Sequence, residues 1–134
     1  MEPLAACDAF RGALDRVELV LSCGGLGPTL DDLTREALAD LLGRKLMPND
    51  AVLQIIQERF RRMGRTMADV KRRQARVIEG AEVLPNPRGT APGLWMEDSR
   101  GRVAVLLPGV PREMRGLLVE ELLPRLVQRA GGTA

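Results

Sequence analysis

The sequence predicts an α/β fold, and three observations predict it. Val17-Glu18-Leu19-Val20-Leu21-Ser22-Cys23 is an almost uninterrupted apolar run, the composition of a strand covered on both faces as in a parallel sheet. The turn Gly24-Gly25-Leu26-Gly27-Pro28 breaks that run, and Leu30, Leu33, Ala37, Leu38, Leu41 and Leu42 then recur at helical spacing until Gly43 stops them. Farther along, Leu94-Trp95-Met96-Glu97 and Arg102-Val103-Ala104-Val105-Leu106-Leu107 flank Asp98-Ser99-Arg100-Gly101, which predicts a hairpin with a four-residue connection.

The remaining elements follow in order. From Pro3 to Asp15, Leu4, Ala5, Phe10, Ala13 and Leu14 fall on one helical stripe. A helix begins after Asn49 or Asp50, carries Val52, Leu53, Ile55, Ile56 and Phe60, and ends near Met63 with Gly64 as its stop. A further short helix is expected over Ala68 to Val77. Around these two, Arg59, Arg61, Arg62, Arg65, Lys71, Arg72, Arg73 and Arg76 form a basic stretch that reads as a solvated face or as a rim attracting phosphate. Pro111 suits the first position of a last helix bearing Met114, Leu117, Leu118 and Leu122, which Pro124 should disturb. A single domain over residues 1–130 is expected, with a frayed tail at 131–134.

Composition removes several chemistries. The 134 residues are 45% hydrophobic and 28% charged, enough for one modest core. They contain no histidine, no tyrosine and two cysteines, so a Ser-His-Asp triad, a Cys-His pair and a thiolate zinc site are excluded. Three aromatic rings, Trp95, Phe10 and Phe60, are too few for a single-strand nucleic-acid platform, and a net charge of +2 does not imply a polyanionic partner. No apolar run approaches the roughly 20 residues of a membrane span, and the start lacks a secretory layout, so a cytoplasmic protein is expected. Cys7 and Cys23 lack CxxC spacing and read as reduced, largely buried thiols.

Chemistry concentrates in three turns. Gly24, Gly25 and Gly27 lie at a strand's carboxyl end, where the backbone can approach a ligand while the next helix presents unpaired N–H groups to an anionic oxygen. No Gly-Lys-Ser/Thr follows, and Leu30 replaces the third glycine of a dinucleotide fingerprint, so neither common nucleotide loop is present. Thr29-Leu30-Asp31-Asp32 fits a capping box. It also fits a site in which Asp31 or Asp32 holds a divalent cation against phosphate oxygens; neighbouring helical residues point about 100° apart, so one of the two is expected to cap. Leu107-Pro108-Gly109-Val110-Pro111 likewise joins a strand to a helix, with Glu113 favourable in the first turn. If both strands are parallel to their neighbours, both turns lie on the sheet's carboxyl edge, where open α/β sheets keep their ligands. Asn86-Pro87-Arg88-Gly89-Thr90-Ala91-Pro92-Gly93 is a third turn-rich loop offering an amide, a hydroxyl and backbone donors.

In order and approximate spacing, Gly24 through Thr34, Asn86 through Gly93 and Leu107 through Met114 resemble the amino-terminal domain of the CinA (competence/damage-inducible) family. Gly64-Arg65-Thr66-Met67, Gln74-Ala75 and Glu79-Gly80-Ala81-Glu82-Val83-Leu84 extend the resemblance over nearly the whole chain. It implies a fold similar to the molybdopterin-binding proteins MogA, MoaB and MoeA: three α/β/α layers around a mostly parallel sheet. By the same resemblance, Gly24, Gly25, Gly27, Asp32 and Thr34 belong to the ligand site. That family's domain opens with a strand and a Gly-Thr-Glu motif, which nothing before Val17 supplies, so a fold incomplete on its amino-terminal side is expected. Full-length relatives usually add a nicotinamide mononucleotide deamidase domain, and no deamidase activity is expected of these residues. Lys71 stands where the family commonly has asparagine.

Within the CinA branch, the resemblance implies a metal-dependent pyrophosphatase acting on ADP-ribose. Gly24, Gly25, Gly27, Thr29, Thr34, Asn86, Gly89, Thr90, Pro108 and Gly109 would surround the diphosphate, with the loop amides and Thr29 or Thr90 holding it. Asp32, aided by Asp31, would position Mg, Mn or Co, and Arg88 or Lys71 would offset developing charge. The competing expectation is a noncatalytic module that recognises a pterin or nucleotide, or that forms a homo-oligomer through its sheet.

Overall fold

The computed structural model describes residues 8–9, 11–13, 15–24, 34–64 and 75–131. Helical residues at 8–9 and 11–13 agree with the expected first stripe. There follow β1 (Leu19–Cys23), α1 (Thr34–Leu42), β2 (Leu46–Pro48), α2 (Asp50–Arg62), β3 (Arg76–Ile78), β4 (Glu82–Leu84), β5 (Gly93–Glu97) and β6 (Val103–Leu107). The chain ends in α3 (Pro111–Leu117), a π-helical turn (Leu118–Leu122) and α4 (Leu123–Arg129).

The main sheet has the order β1-β6-β5-β4. Side chains alternate across it, as a two-residue period requires. Val20, Leu94, Met96, Ala104 and Leu106 face a core shared with α1 and α2, through Leu38, Val52 and Ile56. Leu19, Trp95, Val103, Val105 and Leu107 face the opposite core, against Leu117, Leu122 and Leu126. Every residue of β6 is therefore buried, and the result is the expected three-layer α/β/α sandwich. Among the described residues parallel pairing is confined to β1 and β6, and the β6–β5 and β5–β4 pairs are antiparallel, so this part of the sheet is mixed rather than mostly parallel as expected. The connections from β4 to β5 and from β5 to β6 are too short for a crossover helix, and short connections reverse the chain.

Local signals explain most boundaries. Asn49 caps α2 by accepting from the Val52 N–H at 3.0 Å, and Gly64, at φ +69°, stops it. Pro111 occupies the start of α3. Pro124 lacks an N–H and crowds the carbonyl four residues back, and the helix answers with the π turn, in which the Leu123 N–H bonds to Leu118 O.

Three expectations change. The helix over Ala68 to Val77 does not extend through its last residues: Arg76–Ile78 form β3, antiparallel to β2, while 68–74 lie outside the described residues. Val77 and Ile78 favour extended backbone, and Leu46–Pro48 supply the edge they pair with. Val17 lies outside β1. Cys23 is exposed rather than buried, because it shares the β1 face of Leu21, itself 45% exposed, at the edge of the sheet among the described residues; Cys7 lies outside them.

The hairpin between β5 and β6 is held by one carboxylate. Asp98 accepts from the N–H groups of Arg100 (2.9 Å) and Arg102 (2.8 Å) and from Arg102 Nε (2.6 Å). Burial opposes its ionisation, but the Arg102 backbone and guanidinium with the Arg100 N–H outweigh burial and hold the carboxyl below its ordinary value of 3.8. A lowered folded-state value means that Asp98 contributes stability above the unfolded value and loses it as pH falls through the folded one. Acid titration of urea midpoints should therefore show stability dropping below about pH 4, with Asp98→Asn losing less over that interval. Parallel pH profiles for the two proteins would remove this role from Asp98.

Candidate functional site

The parallel register of β1 and β6 puts their carboxyl ends side by side, and the turns that follow touch. The Gly24 N–H donates to Leu107 O at 2.8 Å, continuing the ladder one residue past the end of β1. Gly24 has φ +91°, a backbone that favours glycine, and a Cβ added at Gly109 would stand 3.2 Å from Gly24 Cα, close enough to push the two turns apart by a few tenths of an ångström. From the start of α1, the Thr34 hydroxyl donates to Gly24 O at 3.2 Å. Pro108 is buried beside them and Gly109 is exposed.

The third loop joins this assembly through Glu113 in the first turn of α3. Asn86, 4% exposed, donates through Nδ2 to Glu113 Oε1 (2.8 Å) and Ala91 O (2.9 Å), while its Oδ1 accepts from the Arg88 N–H (3.2 Å). The Glu113 carboxylate lies against Gly89 so closely that a Cβ there would fall 1.8 Å from Oε1. Arg112 Nη2 adds a bond to Arg88 O at 3.4 Å. The loop is thus fastened to the same helix start that carries Gly109.

Beside the loop is a cleft of about 60 Å³, walled by Val52, Ile55 and Ile56 of α2 and by Pro85 and Pro92, with Asn86, Thr90 and Arg59 at its polar side. Burial lowers the Arg59 pKa, the Glu113 carboxylate opposes that shift, and the net direction is down. At this size the cleft is an indentation beside the loop rather than a small-molecule site in itself, and the Asn86 amide is fully engaged within the loop, which leaves the Thr90 hydroxyl and the Arg59 guanidinium as its polar groups.

Of the residues the sequence nominated, the structure brings Gly24, Thr34, Pro108 and Gly109 into one contact and Asn86, Gly89 and Thr90 into the adjoining loop. Gly25, Gly27, Thr29, Asp31, Asp32 and Lys71 lie outside the described residues. Arg88 is corrected: its guanidinium is taken by the Glu120 carboxylate, with Nη1 at 3.1 Å from Oε2 and Nη2 on Oε1, so it does not face the site. Glu113 and Arg59 were missed as site residues. Glu113 carried only its helix-start signal, and its partner Asn86 is 27 positions away; Arg59 was one arginine in a basic stretch. Among the described residues no group of three cysteine, aspartate or glutamate side chains is placed to hold a metal ion; Asp31 and Asp32, the expected ligands, lie outside them.

Comparison with known proteins places the chain in a family. The family described as "Probable molybdopterin binding domain" matches residues 3–128. A structure of the protein CinA from Thermoplasma acidophilum, described as of unknown function, superposes with a TM-score of 0.80 at 32% identity, covering 96% of this chain and 71% of that one. The chain belongs to the molybdopterin-binding domain family, in its CinA-like branch. A CinA-like protein of Gemmatimonas aurantiaca is 48% identical over 129 residues, and one of Solibacter usitatus is 52% identical over 121. The chain spans about 30% of the length of these two relatives. The molybdopterin biosynthesis enzyme MoaB of Thermus thermophilus shares the fold, with a TM-score of 0.53 at 23% identity over 98% of this chain and 70% of that one. No helix among the described residues is long and apolar enough to cross a membrane.

Gly89→Ala tests the fastening of the loop in this CinA-like domain. The added methyl must push the Glu113 carboxylate away and strain its bond to Asn86. The expected loss is about 1–3 kcal/mol in urea unfolding, with a displaced Asn86 side-chain amide resonance. An unchanged midpoint and resonance would show that Glu113 does not occupy this position.

Proposed function

We propose that this domain binds a small phosphorylated heterocycle, of molybdopterin or nucleotide type, where the three loops meet. The observation that carries the reading is the backbone contact of Gly24 with Gly109 at the shared carboxyl ends of β1 and β6, with the Asn86 loop fastened alongside. Ligands of open α/β sheets sit outside the carboxyl ends of strands, and bare backbone there lets N–H groups reach anionic oxygens without a side chain intervening. Family membership supports the same ligand class. In this reading Thr34 holds the Gly24 turn, Glu113 and Asn86 hold the second loop, and Thr90 and Arg59 meet the ligand from the cleft.

Hydrolysis of ADP-ribose is a further step that would need Asp32, with Asp31, to hold a divalent metal. The described residues add no donor set for it, and the relatives' names carry no such activity, so recognition without turnover is the favoured reading. Titration calorimetry with ADP-ribose and with neopterin phosphate, each with and without manganese, separates the outcomes. We expect saturable one-site uptake of at least one probe, no release of AMP from ADP-ribose, and about tenfold or greater weakening in Gly109→Val. Manganese-dependent AMP release that disappears in Asp32→Ala would replace this reading with hydrolysis. No uptake of either probe would reject it.

A further inference from the structure

At the end of the molecule away from these loops, a groove of about 340 Å³ opens around the β5–β6 connection. β6 is five residues long, which sets the two regions about 16 Å apart along the strand. Four guanidiniums line the groove, from Arg11 in the first helical stretch, Arg44 after α1, Arg100 in the hairpin and Arg102 entering β6, against two carboxylates, Asp15 and Asp98.

Both carboxylates are already engaged. Asp98, whose side chain is 8% exposed, accepts from Arg102 Nε and two backbone N–H groups, and Asp15 Oδ1 lies 3.4 Å from Arg102 Nη1. Arg11 pairs outward with Asp8 at 3.7 Å. Arg44 donates from Nη2 to the backbone oxygen of Glu97 at 2.5 Å, which orients the guanidinium and leaves its charge unmatched. The Glu97 carboxylate is itself occupied by Arg129 at 2.8 Å. Among the described residues, neither Arg44 nor Arg100 has a carboxylate within 4.0 Å. Leu41 and Leu42, both half-buried, supply an apolar wall next to these two cations.

We propose that this groove is a second ligand site, taking a phosphomonoester with a flat or apolar body, such as a mononucleotide. Arg44 and Arg100 share the phosphate oxygens, each guanidinium offering a planar fork of donors, and the body lies on Leu41 and Leu42. The groove's volume falls in the range of small-molecule sites. Because it lies at the opposite end of β6, the assignment stands whether or not the loop site binds its ligand.

The test follows backbone amide resonances of the whole chain during titration with AMP, inorganic phosphate and adenosine at low ionic strength. AMP should bind more tightly than either part, with the largest shifts at Arg44 and Ser99 to Arg102 and none required at Gly24 or Gly109. Arg44→Gln and Arg100→Gln should each weaken AMP about tenfold, and raising the salt to about 0.2 M should weaken it further. Equal affinity in either variant with an unchanged unfolding midpoint overturns the proposal. So does AMP binding that shifts only the loop residues, or no hairpin shift at millimolar AMP.

Discussion

The structure depends on one parallel pairing. β1 and β6 are distant in sequence, and running side by side in the same direction puts the residues after both strands at the same edge. The bond from the Gly24 N–H to Leu107 O carries that alignment one step beyond the ladder, and the contact of Gly24 with Gly109 follows from it. An antiparallel pairing of the same two strands would have sent the two turns to opposite ends of the sheet.

Burial makes the alignment firm. β6 is covered on both faces, and a one-residue slip against β1 would exchange the inward sets Ala104 and Leu106 for Val103, Val105 and Leu107 in every contact they make. The two cores therefore fix the register that the site needs. Glu113 then links the packing of α3 to the Asn86 loop, so the helix that closes one core also holds one wall of the cleft. The arginine groove draws on the other end of the same strands, where Asp98 and Arg102 stiffen the hairpin and leave Arg44 and Arg100 unmatched among the described residues.

Much of the fold was legible because its signals are local. Asn49 and Gly64 bracket α2, Pro111 opens α3, Pro124 disturbs the last helix, and the hairpin sits where Asp98 to Gly101 interrupt two apolar runs. β2, β3 and β4 have three residues each, too few for alternation to show, so the sequence pattern runs a helix into Arg76 and Val77 of β3. The exposure of Cys23 was hidden for a related reason: composition reports what a strand could bury, and position in the sheet decides what it does bury. At the site, glycine and proline marked the turns. The Asn86–Glu113 bond and the capture of Arg88 by Glu120 join residues 27 and 32 positions apart and leave no pattern in a single sequence.

The central claim is that separate turns are fastened into one unit, and a double-mutant cycle on Asn86→Ala and Glu113→Ala in urea unfolding tests it most directly. Side chains bonded at 2.8 Å in a part-buried setting should couple by about 1–3 kcal/mol. Additive losses, within about 0.3 kcal/mol, would mean that the loop and the helix start are independent. The Asn86 loop would then not belong to the unit that Gly24 and Gly109 form.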